Sequence, residues 1–368
     1  MQLIVWQGII SIHQKTFLEA LAKQPRVTKV LLVVEQDITP YRKSMGWTIP
    51  QIENVEIIIA PSVRDIENIF DTYPQAFHLF GGFRVGAMMK TAQRTGTLKK
   101  AKMGAISEPY ASQGFKGFLR TLKYAYIGLL HFRHLDFILA IGKTGVKQYT
   151  ALGFDKRYVF PWAYFINVPL DEKIAATSKD KQRIIYAGRL EEAKGIFRFV
   201  TELAAFDKDK YSLDIIGEGS DEAKLKAFVA ANNLQDSIHF HGFMKYDDMV
   251  KIYKNYDWVV LPSTAKDGWG VIISEGMLNG LKGICSNICG VSWAIKDGFN
   301  GMSFDWSVND SCNSAINEML NSNSFASPDT ISSWAKEAIG ADAGARYCIE
   351  ILDCRYNNAA RPEFPWAN

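Results

Sequence analysis

No stretch of this 368-residue chain approaches the roughly 20 consecutive apolar residues that a membrane-crossing helix needs. The opening MQLIVWQGII carries no basic leader and no small-residue cleavage site, so it predicts a buried first strand rather than an export signal. Cysteine is scarce. The five at Cys285, Cys289, Cys312, Cys348 and Cys354 lack the CxxC spacing of a zinc site. Buried, reduced thiols in a cytoplasmic protein are the expectation. Neither half opens with a GxGxxG turn, which argues against a nicotinamide-dependent dehydrogenase. A dense basic stripe with base-reading motifs is also missing, so nucleic acid is not an expected partner. No DxD-type pair stands out as a metal holder. His239 and His241 share one face of a predicted strand but lack further ligands, and both read as structural.

What remains is an ordinary globular composition, 48% hydrophobic and 22% charged, in a chain long enough for two α/β domains. The net charge of +3 is unevenly spread. Residues 1–170 carry 21 Lys and Arg against 11 Asp and Glu, whereas residues 171–368 carry 21 against 28. A basic half joined to an acidic half points to an anionic partner for the first.

Apolar runs alternate with amphipathic stretches, the pattern of parallel sheets covered by helices. In the first half the spacing predicts strands over Leu3–Trp6, Val30–Val34, Val55–Ile59, Ala76–Leu79, Met103–Ile106 and Phe137–Ile141, with helices over Gln14–Lys23 and Val85–Thr95. The rhythm restarts with strands Arg183–Ala187, Tyr211–Ile216, Ile238–His241, Trp258–Leu261 and Gly283–Ser286. Helices are expected over Gly195–Ala205, Asp221–Asn232, Tyr246–Asn255 and Val271–Asn279. The join is placed near Phe160–Pro169, followed by a polar lead-in over Glu172–Lys181. The expected division is 1–165, 166–345, and a helix and loose tail over 346–368 that crosses back to the first domain.

Two segments carry chemistry. In Ile184-Ile185-Tyr186-Ala187-Gly188-Arg189-Leu190-Glu191-Glu192-Ala193-Lys194-Gly195 an apolar strand ends in a glycine and two cations follow before a helix. Gly188 lets a ligand approach the backbone, Arg189 offers a fork of donors and Lys194 a point charge. Together they suit a pyrophosphate. In the second segment a strand runs through Pro262 into a loop, Asp267-Gly268-Trp269-Gly270, and then a helix from Val271. Asp267 and Glu275 stand eight residues apart, and a carboxylate there can accept from vicinal sugar hydroxyls.

At these residues the chain resembles the retaining glycosyltransferases of the GT-B fold, the group 1 family related to bacterial mannosyl- and lipopolysaccharide glucosyltransferases. Gly188-Arg189-x4-Lys194-Gly195 and Asp267-x7-Glu275 carry the resemblance. Ile216-Gly217-Glu218-Gly219, His241-Gly242-Phe243, Pro262-Ser263 and Asp297-Gly298-Phe299-Asn300-Gly301 accompany them. The resemblance implies an α/β chain of two Rossmann-like domains facing each other across a deep cleft. It further implies transfer of a hexosyl unit from a UDP- or GDP-sugar, without a metal or other cofactor. By the same resemblance Arg189 and Lys194 neutralise the diphosphate, Glu275 holds the ribose and Asp267 contacts the sugar. Gly188, Gly217, Gly219, Phe243, Met244, Pro262, Gly268, Trp269, Gly270 and Val271 would complete the donor pocket. The chain departs from the family's pattern at Asp267 for the usual Glu, at Trp269 for Phe, and at Gly290-Val291-Ser292-Trp293.

For the acceptor, Gly8 fits the glycine-bearing loop that borders the family's cleft. His13 is an acceptor contact or a helix-start residue. Glu108 and Tyr110 follow a predicted strand, where a polar cluster faces the ligand crevice or simply makes a turn; Glu108 is counted among the catalytic candidates. Lys116, Arg120 and Lys123 interleave with Phe115, Phe118, Tyr124 and Tyr126 at helical spacing. Two readings compete, an interfacial helix on an anionic membrane and a core-facing helix with a solvated basic edge. With Lys99, Lys100 and Lys102 nearby, peripheral contact at the inner face of the membrane is the expectation. The whole reads as a glycosyltransferase acting on a glycan or lipid-linked acceptor, in cell-surface polysaccharide or lipopolysaccharide synthesis. A nucleotide-sugar epimerase of the same architecture and a degenerate, non-catalytic scaffold are the rivals.

Overall fold

Strands that are apolar at nearly every position suit sheets covered on both faces, and β1 (Gln2–Gln7) is buried from Leu3 to Gln7. The computed structural model describes residues 1–39, 49–82, 86–110, 112, 114–131, 134–168, 181–265, 267–322 and 324–367. They divide into two units, Met1–Ile166 with Ile339–Asn368, and Asn167–Ala338. The second unit thus ends at 338, where the sequence reading runs the second domain to 345.

In the first unit β1 is followed by α1 (Ile12–Ala22), β2 (Lys29–Val34), β3 (Glu56–Ile59), α2 (Val63–Thr72), β4 (Phe77–Gly81) and α3 (Ala87–Leu98). Then come β5 (Lys102–Ser107), α4 (Gly114–His131), β6 (Phe137–Ile141), α5 (Gly142–Ala151) and β7 (Val159–Trp162). The strands form one parallel sheet in the order β3-β2-β1-β4-β5-β6-β7, so the direction of winding reverses between β1 and β4. Its core holds an aromatic stack in which His78 lies 4.2 Å from Phe70 and accepts from Trp6 Nε1 at 3.1 Å. Burial pushes the imidazole down to about 3, so it is neutral in the fold.

The second unit runs β8 (Gln182–Ala187), α6 (Ile196–Leu203), β9 (Tyr211–Ile216), α7 (Glu222–Ala231), β10 (Ile238–Gly242) and α8 (Tyr246–Ile252). It continues with β11 (Trp258–Leu261), α9 (Val271–Leu278), β12 (Lys282–Ser286), β13 (Gly301–Phe304), α10 (Ser311–Asn321) and α11 (Pro328–Ile339). Its parallel sheet has the order β10-β9-β8-β11-β12-β13 and reverses between β8 and β11. Ligands of open α/β sheets bind at the carboxyl ends of the strands where winding reverses.

The units divide between Ile166 and Asn167, within the expected Phe160–Pro169, but the first residues of that range belong to β7; Pro161 is tolerated there since β7 is the sheet's edge. The Glu172–Lys181 lead-in lies, except for Lys181, outside the described residues, as does Val85, the expected start of α3. Helices α2, α5 and α10 and strands β7 and β13 are additional to those expected, although Ser62 and Asp65 form a readable capping box at the start of α2. Finally, the tail is not loose. The helix α12 (Ala341–Tyr356) packs on α1, with Gly344 so close to Phe165 that an added Cβ would lie 2.3 Å from the ring. Beyond it Arg361 donates to the Val159 carbonyl at 2.7 Å, covering the open edge of β7, and Trp366 is buried beside Phe165.

Candidate functional site

The loops after β8 and β11 lie at the reversal of the second sheet, and they are stitched together. Thr264 donates its backbone N–H to the Ala193 carbonyl at 3.0 Å and its hydroxyl to the Glu192 carbonyl at 2.7 Å. Gly195 makes this approach possible: it sits at φ +69°, and a Cβ there would meet the Pro262 carbonyl oxygen at 1.9 Å. As a result Lys194 reaches across 73 residues of sequence. Its Nζ donates to Asp267 Oδ2 at 2.5 Å, and the Ser263 hydroxyl donates to the same oxygen at 3.1 Å. Arg189 stands exposed on its loop and pairs with Glu191 at 2.9 Å.

The glycines of this region are demanded by packing. Gly217, at φ +132°, and Gly219 lie against the backbone of Gly188 and Leu190, where a Cβ would come within 2.0 and 2.3 Å of carbonyl oxygens. Gly188 N–H and Leu190 N–H bond back to Ile216 and Glu218, fixing the loop that carries Arg189. Gly270 caps α9 at φ +96°, and Gly268 sits beneath Gly290, whose N–H reaches the Asp267 carbonyl. Val271 opens α9, half-buried. The Trp269 indole turns inward, buried, and donates to Ser274 at 2.9 Å, so only its backbone borders the loop. Pro262 is buried too, its carbonyl accepting from the Trp306 indole at 3.0 Å. Phe243 is exposed and Met244 half-buried just past β10.

Glu275 lies within α9 and is only 2% exposed, and among the described residues no cation acts on it. The Tyr253 hydroxyl donates to Glu275 Oε2 at 2.8 Å, and Tyr246 is a second hydroxyl donor. Burial raises the carboxyl to about 7, although the two tyrosines pull the other way. These tyrosines, from α8 and the turn after it, were not foreseen as part of the site. Among the described residues no group of three or more His, Cys, Asp or Glu is arranged to hold a metal ion.

In the first unit the corresponding reversal places Gly8 after β1, its carbonyl accepting from Gln36 at 3.2 Å. Gln7 closes β1, is 5% exposed, and its amide nitrogen has no hydrogen-bond partner. Its signal in the sequence is that it is the only polar residue in the run Leu3–Gln7. Glu108, after β5, is exposed and accepts from the Tyr164 hydroxyl at 2.6 Å. His13, on α1, and Tyr164 line the same small cavity of about 10 Å³, with Ile106, Trp162 and Phe165. Tyr164 was hidden in the supposed join. Tyr110 is turned inward: its ring stacks on Tyr124 at 4.2 Å and Gln148 clamps its backbone at 2.8 and 2.9 Å.

The sequence and the fold have known counterparts. Residues 168–338 match the family model for glycosyl transferases group 1. An uncharacterized glycosyltransferase of Methanocaldococcus jannaschii, MJ1069, is 28% identical over 198 residues, which are 50% of this chain and 50% of that protein. The alignment therefore spans half the length of that curated relative. Among solved structures, the lipopolysaccharide outer core galactosyltransferase WaaB superposes with a TM-score of 0.72 at 14% identity, covering 96% of this chain and 100% of that one. Anabaena HepE, solved with UDP and glucose, gives 0.67 at 13% identity, over 96% and 100%. Both likenesses speak to the fold, two parallel-sheet Rossmann-like units. Similarity to the glycosyl transferases group 1 family is thus carried by residues 168–338, and the two units have the GT-B fold.

Proposed function

We propose that this protein is a glycosyltransferase that moves a hexosyl unit from a nucleoside-diphosphate sugar to a glycan or lipid-linked acceptor, with retained configuration. The pairing of Lys194 with Asp267 at the sheet's reversal, beside the loop of Arg189, carries the reading. Cleaving the bond between a sugar and a diphosphate leaves negative charge on the departing oxygens. Fixed cations favour that charge most in the transition state. Lys194 is already oriented by Asp267, and a diphosphate would share or take over its hydrogen bonds; Arg189, held only by an exposed pair, is free to fork onto the second phosphate.

In this reading Glu275, carried as an ionised acceptor once donor binds, takes the two ribose hydroxyls, and the backbone near Phe243 and Met244 borders the base. The cations do the work of a magnesium ion, so none is required. HepE, bound to UDP and glucose, and WaaB, a lipopolysaccharide galactosyltransferase, support a UDP-sugar and a cell-surface glycan. Gln7 and Glu108 offer one hydrogen-bond donor and one acceptor to the hydroxyl that receives the sugar. A calorimetric screen of UDP-, GDP- and ADP-sugars, with and without magnesium, tests the proposal. Micromolar, metal-independent binding of one nucleotide family is the expected result; no binding by any of them would overturn it.

A further inference from the structure

Helix α4 is amphipathic in the wrong sense for a helix that merely covers its sheet. At about 100° per residue, Phe115, Phe118, Leu119, Leu122 and Tyr126 fall within a single arc of about 100°. All five are exposed, from 49% to 76%. The buried positions Gly117 and Tyr124 lie on the opposite side: an added Cβ at Gly117 would come within 2.2 Å of the Ser112 backbone, and Tyr124 stacks on Tyr110. The apolar stripe therefore faces away from the unit's core, which disposes of the core-facing reading. Lys116, Arg120 and Lys123 fill the flank between the two faces, and Gly114–His131 contains no acidic residue.

We infer that α4 seats this protein on an anionic bilayer, its aromatic and aliphatic stripe among the acyl chains and its cations among the headgroups. Charge decides the occupant. A helix with three cations and no carboxylate, in a half-chain with a two-to-one excess of cations, complements an anionic lipid surface and would repel a second copy of itself. Among the described residues no helix is long and apolar enough to cross a membrane, so α4 lies along the surface. The acceptor loop hangs directly from this helix through the stack of Tyr110 on Tyr124, with Glu108 two residues away. Resting on the proposed transferase activity, the acceptor class is narrowed to a saccharide carried on a membrane lipid.

The full-length protein should co-sediment with vesicles of phosphatidylcholine containing about one phosphatidylglycerol in three, and far less with phosphatidylcholine alone or at high salt. Phe115→Ser/Leu122→Ser, at the centre of the exposed stripe, should weaken vesicle binding at least about a hundredfold. Lys116→Gln/Lys123→Gln should weaken it about thirtyfold. Both variants should melt and bind nucleotide-sugar in solution like the parent, so failure here is separable from failure of the donor-site reading. Equal partitioning onto neutral and anionic vesicles, or undiminished binding by the serine variant, would overturn the inference. A self-association in sedimentation velocity that the serine variant abolishes, without vesicle binding by the parent, would assign the stripe to a second copy and overturn it as well.

Discussion

The two units are built on one plan, yet they treat charge in opposite ways. At its reversal point the second unit gathers ions, Lys194 with Asp267 and Arg189 with Glu191, and buries the carboxyl of Glu275 close by. The first unit lines the ends of β1, β5 and β7 with the neutral groups Gln7, Ser107 and Tyr164, beside the exposed carboxylate of Glu108. Under the proposed activity a doubly charged leaving group suits the first environment and an uncharged hydroxyl the second. The buried titrating groups differ in the same sense. Glu275 is held up near 7 against an ordinary 4.5, and His78 is held down near 3 against 6.5. Stability associated with Glu275 is therefore whole below about pH 4.5 and lost as pH rises through about 7. That associated with His78 is whole above about 6.5 and lost as pH falls toward 3.

The contrast can be broken at several points. The largest effect is expected from Lys194→Ala, which removes a cation from the leaving group and should cut turnover about 100- to 1,000-fold in a nucleotide-release assay. Far-ultraviolet circular dichroism should be unchanged, and parental turnover would remove Lys194 from the chemistry. For Glu275, nucleotide-sugar affinity should rise about tenfold between pH 6 and pH 8 as the carboxyl ionises, and this slope should vanish in Glu275→Gln. The same variant should melt higher than the parent at pH 8, by at most about 3 kcal/mol, and not at pH 4.5. In the first unit, Gln7→Leu and Glu108→Gln should each raise the acceptor's KM roughly five- to tenfold while calorimetric donor affinity stays put. A shift in donor affinity instead would erase the division of labour. No change in turnover is expected of His78→Gln, which keeps an acceptor for Trp6 and should flatten the stability loss between pH 6.5 and 4 by about 3 kcal/mol.

Much of the fold is legible because buried parallel strands read as unbroken apolar runs; Val30–Val34 and Trp258–Leu261 declare themselves this way. The strand β7 does not, since Pro161 reads as a break unless one knows that the strand lies at an edge. Arg189, Lys194, Asp267 and Glu275 stand out through local spacing and family resemblance. Their partners do not: the contact of Lys194 with Asp267 depends on the close crossing at Gly195, and Tyr253 reaches Glu275 from 22 residues upstream. Nor does local pattern tell which way an amphipathic helix turns. The stripe on α4 has the same periodicity whichever way it faces, and the packing of Gly117 against Ser112 and of Tyr124 on Tyr110 turns it outward.

The return of α12 to the first unit has a consequence for synthesis. Domains usually complete in the order in which they leave the ribosome. Here the unit that starts the chain is discontinuous, and its sheet edge stays uncovered until Arg361 has been translated. The second unit, continuous from Asn167 to Ala338, can close while the first still waits for its last helix. The unit that contributes residues 1–166 thus cannot complete its fold before residues 339–368 are made, and until then β7 presents an uncovered strand edge.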